Sequence, residues 1–145
     1  MALSLSNRSN SSLTYVFFAF IISLVSTLGS LFFSEIMHFI PCSLCCYQRI
    51  FMYSLVLIFL MNLLFPDDKV FKYAILLVLF GWIISIYHNL LMFGIIPENL
   101  APCVQGVPCS TAYINWLGFI TIPLLSFFAY TTILILLVKM KKELN

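Results

Sequence analysis

Charged residues are scarce in this sequence. Its 145 residues include 7 Lys or Arg and 5 Asp or Glu, 8% in all, whereas 63% are hydrophobic. Soluble domains carry about a quarter charged residues, so this composition excludes an ordinary soluble domain and predicts an integral membrane protein. The net charge of +2 is small and scattered. A nucleic-acid-binding protein is therefore excluded as well, because neutralising a phosphate backbone requires a clustered basic face.

Four apolar segments account for most of the chain, at about residues 14–34, 44–65, 72–93 and 116–138. Each is close to the ~20 residues that cross a bilayer as a helix. We therefore predict an all-α fold, a four-helix transmembrane bundle forming a single membrane domain. Residues 1–13 are polar and rich in Ser and Asn, which predicts a disordered tail. No small-residue cleavage pattern follows the first segment, so we expect it to be retained rather than removed as a signal peptide.

The basic residues predict the orientation of the four segments. Six of the seven precede the first segment, separate the second from the third, or follow the fourth: Arg8, Lys69, Lys72, Lys139, Lys141 and Lys142. The seventh, Arg49, is the only one near the opposite side. By the positive-inside rule, both termini are expected in the cytoplasm. The two remaining loops, each of which carries a cysteine pair, then face outside, where disulfides persist.

Cys42 and Cys45 form a Cys-x-x-Cys motif directly before the second segment. Thiols near a helix N-terminus are favoured as thiolates, the attacking species in disulfide exchange, so we predict redox chemistry. A zinc half-site is the alternative; it usually requires four ligands, and the nearest other candidates are His38, Cys103 and Cys109. An inert structural pair is disfavoured because the ring closed by two such close thiols constrains little chain.

Arg49 follows Cys45 by four residues, and a helix would place it on the same face about one turn further in. Charges inside a membrane are costly and usually functional. The alternative is that Arg49 extends to lipid headgroups. Beside a thiol, we predict that it stabilises negative charge on a thiolate or on a reduced electron acceptor.

Cys103 and Cys109 enclose a short loop in which Gly106 and Pro108 supply turn chemistry, so the two cysteines can approach disulfide distance. A plain staple is the alternative, although a ring of this size contributes only roughly 2–2.5 kcal/mol. A second pair facing the same compartment as the first predicts a relay instead. Cys46 is turned about 100° from Cys45 on a helix, and we expect a small buried apolar side chain there.

One set of motifs resembles a known family. Its first part is the run from Pro41 to Arg49, which reads Pro-Cys-Ser-Leu-Cys-Cys-Tyr-Gln-Arg. The other parts are His88 and the run Asn115-Trp116-Leu117-Gly118-Phe119 with Pro123. Together these residues resemble the DsbB family of thiol:quinone oxidoreductases, with a closer likeness to its short Gram-positive branch, BdbC. The likeness extends over nearly the whole chain, and the motif Cys-x-x-Cys-x-x-x-Arg combined with a second cysteine pair is specific.

The resemblance implies an enzyme that reoxidises an extracytoplasmic thioredoxin-like thiol oxidase, DsbA-like or BdbD-like, and delivers two electrons to a membrane quinone. Menaquinone is the quinone we expect. By position, Cys103 would form the mixed disulfide with the partner and Cys109 would complete that pair. Cys42 and Cys45 would then reoxidise it, with Cys45 nearest the quinone.

The same resemblance assigns Arg49 and His88 to quinone binding. His88 alone would be interpreted as an ordinary bundle histidine. The sequence departs from the better-known proteobacterial members in two ways. Its second pair is much closer together, and Cys46 stands where a larger side chain is expected, so we predict that Cys46 is dispensable.

Three other interpretations remain open from the residues. A vitamin K epoxide reductase-like protein is also a small helical bundle with Cys-x-x-Cys next to a quinone. A membrane metal-binding protein could use the same thiols, which suit Cu(I). A structural four-span assembly factor would have loops that are merely stapled by disulfides.

Overall fold

The computed structural model describes residues 2–38, 42–67, 69–100 and 121–144. Within these ranges there are four long helices: α1 (Ala2–Glu35), α2 (Ser43–Leu64), α3 (Val70–Met92) and α4 (Ile122–Leu144). A single 3₁₀ turn, Glu98–Leu100, follows α3, and no strand occurs in these ranges. The prediction of an all-α four-helix bundle is confirmed.

Each helix is long and apolar enough to cross a membrane. The stretches that qualify are Asn10–Glu35, Ser43–Leu64, Val70–Met92 and Ile122–Glu143. Large apolar side chains remain exposed on all four helices, among them Phe17, Leu57, Phe80 and Phe128. A surface of this kind is a liability in water but is the normal exterior of a bundle in lipid. The protein is therefore a multi-pass membrane protein.

Helix α1 extends further towards the N-terminus than the sequence suggests. It begins at Ala2 and so includes residues that we expected to be disordered. Once a stable span has nucleated a helix, each added turn gains hydrogen bonds at little extra cost. Thr14 Oγ1 also donates a hydrogen bond to the Asn10 carbonyl, 2.8 Å away. The apolar part of this helix still begins only at Asn10.

The helices pack in a ring. Each contacts its neighbours in sequence, and α4 closes the ring against α1, as in an up-and-down four-helix bundle. The core of the ring consists of buried apolar side chains from all four helices, including Ala19, Leu55, Phe59, Val78, Tyr130 and Ile133.

Tyr130 joins three of the helices. Its side chain is fully buried, and its hydroxyl donates a hydrogen bond of 2.7 Å to the main-chain carbonyl of Gln48 on α2. Its ring fills the space beside Gly81 on α3, where an added Cβ would overlap the ring. A small residue at position 81 thus permits the close approach of α3 and α4, as is common between membrane helices.

Polar side chains add further contacts between α3 and α4. Asn89 Nδ2 donates to the Pro123 carbonyl at 3.0 Å, and Trp82 Nε1 donates to Thr131 Oγ1 at 3.0 Å. Hydrogen bonds between membrane helices contribute on the order of 0.6–2 kcal/mol each. They help to fix the register of α3, the helix that carries His88.

Candidate redox site

The first cysteine pair lies at the start of α2. Cys42 is the N-cap residue, with extended backbone angles of φ −72° and ψ 166°, and Cys45 lies in the first turn. The two sulfur atoms are 3.0 Å apart, and both cysteines are free thiols in this structure. The backbone N–H of Cys45 also donates to Cys42 Sγ at 3.4 Å. The sulfur of Cys42 therefore occupies the position of a capping acceptor at the positive end of the helix.

His88 on α3 reaches the same sulfur from the other side. Its Nε2 lies 3.7 Å from Cys42 Sγ, and its side chain is only 1% exposed. Cys42 itself belongs to a small apolar cluster that contains Leu44, Leu91 and Ile84. Both the thiol of Cys42 and the imidazole of His88 are thus buried away from water.

Cys42 precedes the membrane-spanning stretch of α2, and its surroundings favour the thiolate. The pKa of the Cys42 thiol is lowered from its ordinary value of 9.0 to about 4, first because of the hydrogen bond shared with the Cys45 thiol and then because of His88. Burial acts in the opposite direction but is outweighed. The surroundings of Cys42 thus favour its thiolate form, the reactive form of a cysteine.

The end of α3 closes over the cluster. Gly94 has a positive φ of 72° and allows two hydrogen bonds that terminate the helix, Gly94 N–H to Leu91 O and Ile95 N–H to Leu90 O, each 3.1 Å. This pattern is a Schellman motif, which favours glycine at the left-handed position. The turn brings Ile96 back onto the cluster around Cys42.

Arg49 lies about one turn further along α2 than Cys45, as predicted. Its Nη2 donates a hydrogen bond of 2.9 Å to the Ser30 carbonyl on α1. This bond uses one of the several N–H donors of the guanidinium group. It holds the cation at the interface of α1 and α2, in the turn of α2 that follows the cysteine pair.

Gln48 is a site residue that the sequence argument did not single out. Its side chain is 5% exposed, and its Nε2 has no hydrogen-bond partner within the described part of the chain. Burying an amide in this way costs about 1–3 kcal/mol. The signal in the sequence was the amide itself, a polar residue one turn after Cys45 in a largely apolar segment.

The structure brings three of the predicted site residues together. The sulfur atoms of Cys42 and Cys45 and a ring nitrogen of His88 all lie within 4.8 Å of one another. The contact between His88 and Cys42 was not anticipated, because the sequence assigned His88 to the quinone. It follows from the packing of the start of α2 against the end of α3.

The remaining cysteines and His38 have different positions. Cys103 and Cys109 lie outside the described residues, so their pairing and the relay stay predictions. His38 is exposed, and it is not part of the group formed by Cys42, Cys45 and His88. Cys46 is exposed on the outer face of α2, so the expectation of a buried side chain is wrong. A rotation of 100° away from a half-buried neighbour places it on the outer surface of this small bundle rather than in the core.

The chain is similar to known proteins that share one description, disulfide bond formation. The family model described as "Disulfide bond formation protein DsbB" matches residues 12–140. "Disulfide bond formation protein C" of Bacillus subtilis (strain 168) is 45% identical over 131 residues, which cover 90% of this chain and 95% of that protein. "Probable disulfide formation protein C" of Halalkalibacterium halodurans is 45% identical over 113 residues, covering 78% of this chain and 82% of its own length.

A further relative, the "SPbeta prophage-derived disulfide bond formation protein B" of Bacillus subtilis (strain 168), is 40% identical over 128 residues and covers 85% of both chains. No solved structure matches significantly. The family model covers most of the chain, and the four helices and the thiol pair agree with it. The chain therefore belongs to the DsbB family of disulfide bond formation proteins and is a membrane oxidoreductase of that family.

Proposed function

We propose that this protein is a thiol:quinone oxidoreductase. It reoxidises an extracytoplasmic thioredoxin-like thiol oxidase and passes the electrons to a membrane quinone, which supports disulfide formation in exported proteins. The observation that carries the proposal is the placement of Cys42 and Cys45 at the start of α2, with the two sulfurs 3.0 Å apart and His88 of α3 beside Cys42. Such a dithiol can close to a disulfide with little movement of the backbone.

The electron path runs through two thiol pairs. A disulfide between Cys103 and Cys109 accepts two electrons from the partner's dithiol, with Cys103 forming the mixed disulfide. The resulting dithiol then reduces the disulfide of Cys42 and Cys45. Each transfer is an attack of a thiolate on a disulfide sulfur, so one S–S bond forms as another breaks and the electron count is conserved.

Within the reduced first pair, Cys42 holds the thiolate, and Cys45 supplies the second sulfur of the disulfide that re-forms. His88 holds the thiolate by donating from Nε2, 3.7 Å from the sulfur of Cys42. We thus assign His88 to the thiol rather than directly to the quinone. A quinone would accept the two electrons, together with the thiol proton of Cys45 and a second proton from water, leaving the first pair as a disulfide.

Two side chains fit the carbonyl oxygens of a quinone, which accept hydrogen bonds. Gln48 offers a buried N–H group without a partner among the described residues, and Arg49 offers a cation in the next position of α2. Both lie one turn beyond Cys45, the thiol that we place nearest the quinone. Menaquinone is the acceptor we propose, from the likeness to the Gram-positive branch.

The proposed orientation places both termini and the α2–α3 connection in the cytoplasm of a bacterial cell membrane. It is supported by the basic residues at those places, including Lys141 and Lys142 in the last turn of α4. Both thiol pairs then face the oxidising side, where a secreted partner can reach them.

Purified protein in detergent, a reduced thioredoxin-like protein and a soluble quinone would test this proposal, with quinone reduction followed by absorbance. We expect turnover in the wild type, loss of turnover in Cys45→Ser and Cys103→Ser, and a raised KM for quinone in Arg49→Ala. Cys46→Ser is the matched control, because it removes an exposed thiol next to Cys45 and should retain turnover. Absence of turnover in the wild type with both substrates present would contradict the proposal and favour a structural or metal-binding protein, and full turnover in Cys45→Ser would contradict the electron path through Cys45.

A further inference from the structure

We propose that the reduced first pair and His88 form a reversible Zn²⁺ site, and that zinc held there blocks the enzyme in its dithiol state. Zinc binding is argued from the geometry of the three ligands. The block on turnover rests in addition on the proposed thiol:quinone function.

The three ligand atoms have the spacing of a zinc site. Tetrahedral zinc with Zn–S bonds of about 2.3 Å and Zn–N bonds of about 2.0–2.1 Å separates neighbouring ligands by about 3.5–3.8 Å. Cys42 Sγ and His88 Nε2 are 3.7 Å apart, and all three ligand atoms lie within 4.8 Å. The two sulfurs, at 3.0 Å, need to separate by less than an ångström, which rotation of one cysteine side chain provides.

The ligand set is that of a zinc site with an open position. Two cysteines and one histidine leave the fourth place to water, as in catalytic zinc sites with three protein ligands. Metal binding requires thiolates, so zinc displaces the protons of the thiols that it binds.

The surroundings of the three ligands favour the zinc-bound form over the metal-free side chains. The site is largely enclosed by Leu44, Leu91 and Ile84, where an uncompensated thiolate is poorly solvated. A divalent cation neutralises the charge of both sulfurs within this apolar cluster. His88 is already buried beside Cys42, so little ordering is required on binding.

Zinc would select one redox state. A disulfide has no thiolate to offer, so the metal binds the reduced pair alone and shifts the equilibrium towards the dithiol by mass action. The sulfurs held by the metal are also withdrawn as nucleophiles and as electron donors. The consequence is inhibition that a chelator reverses and that disappears when the pair is oxidised beforehand.

The test measures metal binding directly on the reduced full-length protein in detergent, without quinone. Cd²⁺ serves as the spectroscopic probe, because its thiolate complexes absorb in the ultraviolet, and Zn²⁺ is added as the competitor. We expect one Cd²⁺ per chain, displacement by Zn²⁺, and no band after oxidation with diamide. His88→Ala and His88→Gln should both weaken binding by at least about tenfold, since loss of even an outer contact to a metal ligand costs about 10–100-fold.

Two controls separate this site from the other thiols of the chain. Cys46→Ser and the double variant Cys103→Ser with Cys109→Ser should keep the band and the affinity. Unchanged affinity in whichever histidine variant remains monodisperse, or loss of binding in Cys46→Ser, would overturn the three-ligand site.

Turnover assays then distinguish the two proposals. Normal quinone reduction that micromolar Zn²⁺ does not affect, with no Cd²⁺ band, would refute the zinc site and leave the proposed function standing. A Cd²⁺ band without any turnover of the reduced partner would refute the proposed function and leave the zinc site standing. Turnover inhibited by Zn²⁺ and restored by a chelator supports both.

Discussion

His88 Nε2 on α3 lies 3.7 Å from the sulfur of Cys42 at the start of α2. The two residues are separated by 46 positions in the sequence and meet because the start of one membrane helix packs against the end of the next. This contact places an imidazole beside the buried sulfur of the thiol pair, so substitution of either residue changes the surroundings of the other.

Reactivity of Cys42 should persist in mild acid. With a pKa lowered to about 4, the thiol is ionised above that value, and its thiolate is lost only as the pH falls through about 4. In reduced Cys46→Ser protein, alkylation of Cys42 should therefore proceed at nearly constant thiolate fraction from pH 8 to pH 5. His88→Gln should raise the midpoint, because it removes one cause of the shift, and mass spectrometry of alkylated peptides measures it. An alkylation midpoint near 9.0 in the Cys46→Ser protein would contradict this account.

Replacing Arg49 should affect the acceptor more than the fold. Arg49→Ala removes the cation and its 2.9 Å bond to the Ser30 carbonyl, and we expect a KM for quinone about ten- to a hundredfold higher, since loss of a charged hydrogen bond costs about 1.5–3 kcal/mol. The KM of Arg49→Lys for quinone should lie between those of the wild type and Arg49→Ala, because lysine keeps the charge. The measurement is quinone reduction at saturating partner. An equal KM in all three proteins would assign Arg49 to helix packing.

Gln48 offers a test in which stability and binding move in opposite directions. Gln48→Met is similar in volume and removes a buried amide whose Nε2 has no partner in the described ranges, so the thermal unfolding temperature should rise or stay unchanged. If the amide binds the quinone, the KM for quinone should rise in the same variant. A rise in stability with an unchanged KM would show that the amide does not contact the acceptor.

Gly81 and Gly29 form a matched pair for the packing of the bundle. Gly81→Ala places a methyl group into the ring of Tyr130, whereas nothing lies within 4 Å of a Cβ at Gly29. We expect Gly81→Ala to destabilise the bundle by about 1–3 kcal/mol through overpacking. Gly29→Ala should be neutral or slightly stabilising, because alanine is the better helix former. Thermal unfolding in detergent compares them, and equal unfolding temperatures would exclude the close contact between α3 and α4.

The four apolar segments, the class of the protein and the likeness to its family were evident from the sequence. Composition determines these features in two steps. A chain with so few charges lies in the membrane, and there its backbone N–H and C=O groups can all be hydrogen-bonded only in helices or in a closed barrel. The Cys-x-x-Cys motif and the position of Arg49 one turn further along α2 also followed from local spacing. Helical periodicity is a property of neighbouring residues, so α2 alone carries that part of the site.

Contacts between helices were decided by the tertiary structure. Hydrophobic residues are spread evenly around α2 and α3, so neither helix has one clearly more apolar face. The sequence therefore does not reveal which side of α3 meets Cys42, or that His88 lies on that side. The hydrogen bond of Arg49 to α1, the buried amide of Gln48 and the exposure of Cys46 likewise depend on how the ring of helices is assembled. In a bundle whose exterior is as apolar as its core, hydrophobicity does not distinguish inside from outside, and close packing and a few polar contacts make that choice.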